Sequence, residues 1–141
     1  MKINLLSLIL SMLIGNTYSQ VVSKKTTNII NSIRAVNEIR YDDLSDQGLK
    51  SPQYFNYTNL LSSSSKEELL YFTNDTNEIV KGYVYLALLD RQDKELERFY
   101  IRSVQNKEKV VSYPKGIYTE ILLSDFLRSK VYDKIIDSNY V

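Results

Sequence analysis

The sequence predicts an all-α fold, a small stack of antiparallel helical hairpins with flanking N- and C-terminal helices. Three observations predict it. Apolar residues recur at spacings of three and four in separate stretches near residues 28–40, 65–89 and 119–137. A serine-to-glutamate capping signature opens the middle stretch. A polar Thr73-Asn74-Asp75-Thr76 turn divides that stretch in two, which makes a helical hairpin.

Residues 1–19 come first and read as an export signal. Lys2 precedes an apolar run from Leu5 to Ile14, broken only by Ser7 and Ser11, and Thr17-Tyr18-Ser19 puts small residues at the positions a signal peptidase reads. The run is shorter than a membrane span, which needs about 20 apolar residues. Cleavage before Gln20 leaves residues 20–141 as a single domain, exported to the periplasm or the medium.

Composition excludes more chemistry than it suggests. The chain holds 18 Lys and Arg against 17 Asp and Glu. Lys2 lies in the signal, so the remainder is neutral and has no electrostatic pull toward nucleic acid. There is no cysteine, hence no disulfide to support the core and no thiol for a lipid anchor. There is no histidine either. Thiolate nucleophiles, Ser–His dyads and ordinary zinc or copper sites are therefore out of reach. No cofactor, metal site or catalytic residue is expected.

Past a polar lead-in, Ile29, Ile30, Ile33, Val36 and Ile39 line one face of a helix over 28–40, with Thr26 or Thr27 as its cap. Residues 41–61 read as a long, partly irregular connection. Asp42, Asp43 and Asp46 near Gly48 end the helix, lacking the spacing of a calcium loop, and Pro52 keeps the following stretch out of a regular helix. Ser64 and Ser65 each precede a glutamate, Glu67 and Glu68, by three residues and start the next helix. It carries Leu69, Leu70 and Phe72 to the Thr73–Thr76 turn. A second helix, Asn77 to Leu89, is apolar on most sides and is expected at the centre.

Leu69, Leu70, Asp75, Val80, Lys81, Val84, Ala87 and Leu88 resemble a HEAT-like repeat, closest in length to the short phycobilin-lyase type. Lys81 stands for the usual Arg, Val84 for the usual Ala, and the turn has no Pro. A weaker second unit follows. Asp93 to Val104 supplies a helix with Leu96, Phe99, Tyr100 and Ile101, and Asn106 repeats the place of Asn74 before Tyr113-Pro114-Lys115-Gly116 interrupts. A last amphipathic helix, Thr119 to Asp137, presents Leu122, Leu123, Phe126, Leu127, Val131, Ile135 and Ile136 as a cap on the stack.

The resemblance implies a scaffold that binds a protein partner of unknown identity. Lys81 and Tyr85, one turn apart on the inner helix, are the candidate partner contacts, with a solvated Lys beside a core Tyr as the plainer reading. The alternative is an envelope carbohydrate-binding or carbohydrate-cleaving protein that uses Tyr and carboxylates. Asp90 and Asp93 are its candidate acid pair, although a short turn would leave both in water. Two sequons, Asn56-Tyr57-Thr58 and Asn74-Asp75-Thr76, sit in a chain whose Asn, Lys, Ile and Tyr content is of AT-rich bacterial type, where they go unused.

Overall fold

A computed structural model describes residues 22–40, 50–92, 107–112 and 117–139, with side chains up to 133. The expected signal at 1–19, the acidic cluster at 42–46, the helix at 93–104, Asn106 and the 113–116 interruption lie outside the described residues.

Helix α1 spans Lys24–Val36. It starts earlier than expected, because the Ser23 hydroxyl accepts the Thr26 N–H at 3.2 Å and caps the first turn. It also ends earlier. Asn37 adopts the left-handed conformation at φ 54° and returns its N–H to the Ile33 carbonyl, the usual way of closing a helix end. Ile39 therefore leaves the helix. Its N–H bonds the Val111 carbonyl at 2.8 Å in a parallel bridge beside Ser112.

Helix α2 spans Pro52–Ser63 and corrects the expected irregular connection. Pro52 begins this helix instead of preventing it. At the first helical position its missing N–H is not needed, and its fixed φ suits the turn. Ser51 supplies the cap, accepting the Tyr54 N–H at 3.1 Å.

Helix α3 spans Lys66–Phe72 behind a complete capping box formed by Ser65 and Glu68. Helix α4 spans Glu78–Asp90, capped by the Asn77 side chain on the Val80 N–H at 3.0 Å. α3 and α4 form the expected hairpin. α4 is buried from Ile79 to Leu88 apart from Lys81, and it packs against α1, α2 and α3. Gly82 permits a further close approach. A Cβ at this position would lie 2.9 Å from Ile39 Cδ1 and 3.2 Å from Leu123 Cδ1.

The protein is mostly helical and not purely all-α. Strands β1 (Lys109–Ser112) and β2 (Thr119–Leu122) form an antiparallel pair, with Val110 opposite Ile121 and Val111 opposite Glu120. The expected Thr119–Asp137 helix is thus divided. Its first four residues are strand, and helix α5 spans Leu123–Asn139. The Leu123 N–H bonds the Glu108 carbonyl at 2.8 Å where strand gives way to helix. α5 and β1 both pack on α4, which places Leu123, Phe126, Leu127 and Val110 in the same core as Ile30, Leu60 and Tyr83.

Candidate binding cleft

The face of α1 beside its apolar stripe carries Thr27, Asn31 and Arg34, spaced four and three residues apart and so aligned along the helix. These three side chains form one wall of an open cleft of about 580 Å³. Across from them stand Tyr71 and Phe72, at the end of α3, and Asn74, Asp75 and Thr76 of the α3–α4 turn. Ile30 and Phe72 are buried and form its base. Tyr71 is 56% exposed, and its ring meets the Phe72 ring edge-on at 5.1 Å.

Asp75 organises the two walls. Its Oδ1 accepts the Asn77 N–H at 2.8 Å, which shapes the turn into α4. Its Oδ2 accepts from Arg34 at 2.8 Å, bridging to α1. The other terminal nitrogen of Arg34 donates to Asn31 Oδ1 at 2.7 Å. The planar guanidinium is thereby held by two partners, and the opposed charges cancel across the cleft.

Below the hairpin turn, Lys81 enters a second polar cluster. Its Nζ lies 2.6 Å from Glu108 and 2.8 Å from Glu78, and its side chain is 11% exposed. Burial pushes the Glu78 carboxyl up, and a hydrogen bond with Glu108 adds to this, so that it titrates at about 7 despite Lys81. Glu108 moves down: burial raises it, but the bonds from Glu78 and Lys81 outweigh that. Lys81 is also penalised by burial and still shifts upward, because both glutamates hold its proton. The proton is therefore held on Glu78, while Glu108 stays ionised against Lys81. The cluster ties α4 to the segment entering β1.

The sequence-derived contact pair is not an exposed pair. Tyr85 is 3% exposed and belongs to the core, and Lys81 is occupied by its two glutamates. The reason is that α4 is covered on nearly every side, so an outward position on an isolated hairpin becomes an inward one here. Asp90 does not project freely either, since it accepts a hydrogen bond from the Tyr57 hydroxyl. Its expected partner Asp93 lies outside the described residues. Among the described residues no group of three or more Asp or Glu gathers as metal donors, and no helix is long and apolar enough to cross a membrane.

The sequence gives Asn31, Arg34 and Tyr71 no site role, and it places Asn74 and Asp75 only in a hairpin turn and an unused sequon. The available signal was the 27, 31, 34 spacing on the polar side of a helix whose apolar side was already identified. No family model matches the chain, and neither does any curated protein or solved structure.

Proposed function

We propose that this chain is an exported, non-catalytic helical binding domain, that its α3–α4 hairpin is a HEAT-like unit, and that it meets its partner through the cleft between α1 and that hairpin. The cleft carries the reading. It has the volume of a ligand site, within the range of about 300–1,000 Å³, and combines a ring with planar polar groups fixed from two directions. The leader at residues 1–19 supports export, and the absence of His and Cys supports binding over catalysis. With Tyr85 in the core, the expected contact on the inner helix gives way to the cleft as the surface on offer.

The test is retention of material from an envelope and medium extract by the immobilised exported chain, compared with a Tyr71→Ala/Arg34→Ala variant. Material of any chemistry that the native chain retains and the variant loses is the expected result. Equal retention by the two, or retention by neither, overturns the reading.

A further inference from the structure

The lining of the cleft selects among ligands. Asp75 lies 2.8 Å from Arg34 and offsets its charge, so this pair offers no net charge to an anion or to a cation. A neutral ligand leaves the pair intact and adds to it. The Asn31 and Asn74 amides carry donors and acceptors and Arg34 carries donors, while the Asp75 oxygens are turned to Asn77 and Arg34. That mixture suits a ligand whose own groups both donate and accept, as hydroxyls do. The apolar part of the cleft is limited in a telling way. Ile30 and Phe72 are already buried, which leaves the Tyr71 ring, with part of Val22, as the apolar surface still open. A peptide that anchors by an apolar side chain needs a desolvated pocket to fill, and the floor of this open cleft is already filled by Ile30 and Phe72. A pyranose needs only a flat ring for its C–H face and polar groups around its hydroxyl edge.

On these grounds we infer that the cleft binds a neutral saccharide, its C–H face against Tyr71 and its hydroxyls on Asn31, Arg34 and Asn74, an assignment that rests on the cleft being the binding surface. Tyr71 is the stacking residue. The Arg34–Asp75 pair holds the guanidinium in place before the ligand arrives, so that little ordering remains to be done on binding.

The experiment is a calorimetric and NMR titration of the exported chain with neutral oligosaccharides built from glucose, galactose, mannose or N-acetylglucosamine, together with a sialylated and a sulfated oligosaccharide as charged probes. The expected result is saturable binding of at least one neutral probe, weakened about tenfold or more in Tyr71→Ala and kept within a few-fold in Tyr71→Phe. Both substitutions are at an exposed position, so the fold is retained, and circular dichroism verifies it. Binding of the charged probes alone overturns the assignment. So does the absence of any saccharide binding: if the cleft variant still loses a protein captured from extract, the ligand class falls and the cleft stands, and if it loses nothing, both fall.

Discussion

The carboxylate of Glu68 accepts the backbone N–H of Ser23 at 2.7 Å, across a sequence separation of 45 residues. Its other oxygen accepts the N–H of Ser65, also at 2.7 Å. Ser23 caps α1 and Ser65 caps α3, so one acid serves the first turns of two helices. Two helix N-termini, each with a partial positive charge, meet at a single negative one. The hydroxyls of Thr26 and Ser64, 3.2 Å apart, extend the junction. This joint sets α1 against the hairpin, and the cleft opens between them.

Glu68→Gln is expected to lower stability by about 1–3 kcal/mol in urea unfolding, the range for losing charge-assisted hydrogen bonds at a buried site. Burial alone would raise the Glu68 carboxyl, but the donors from Ser65 and Ser23 bring it from 4.5 to about 2. The folded state therefore binds this proton later than the unfolded state does. Its stabilisation is complete above about pH 4.5 and is lost as pH falls toward 2. The native chain should weaken across that window, and the variant should weaken less.

Glu78 has the opposite sign. Its folded pKa of about 7 lies above the 4.5 of the free carboxyl, so the folded chain holds more protons between those values. Stability from this group is present below pH 4.5 and declines as pH rises through 7. Melting temperature measured from pH 5 to 8 should fall in the native chain and fall less in Glu78→Gln. An equal slope in both would contradict the raised Glu78 carboxyl beside Lys81 and Glu108.

Tyr85→Ala tests the placement of Tyr85 in the core. Removing a buried aromatic ring leaves a cavity, and the expected loss is about 3–5 kcal/mol in chemical denaturation. A loss below about 1 kcal/mol would return Tyr85 to the surface.

Arg34→Ala acts on both binding and folding. The Arg34 side chain is 41% exposed but that of Asp75 only 9%, so losing the guanidinium leaves a shielded carboxylate without its charged partner and should lower stability by about 1–3 kcal/mol. Retention of ligand should drop sharply, because Asp75 and Asn31 lose the group that joins them. Chemical denaturation beside a binding assay on the same preparation reads both quantities.

What the sequence disclosed follows the range of the interactions involved. Ser65, Glu68 and the Asn74-Asp75 turn act over a few residues, and the α3–α4 hairpin was legible from them. Pro52 was misread because the same residue breaks a helix interior and starts a helix, and only the Ser51 cap before it tells the two apart. Ile39 kept the helical spacing of Ile33 and Val36, yet the left-handed Asn37 between them had already ended the helix. Leu122 and Leu123 fit a helix period although the first is strand and the second helix, since the β1 partner that decides it lies more than ten residues upstream. The cleft was the least legible feature. Arg34 and Asp75 are 41 residues apart in sequence, and nothing local to either names the other.

The most direct measurement is hydrogen exchange of residues 20–141, read by mass spectrometry, with and without the material that they retain from extract. The account predicts added protection over residues 27–34 and 71–76. Protection confined to the β1–β2 pair, or to α4 around Lys81 and Tyr85, would contradict it.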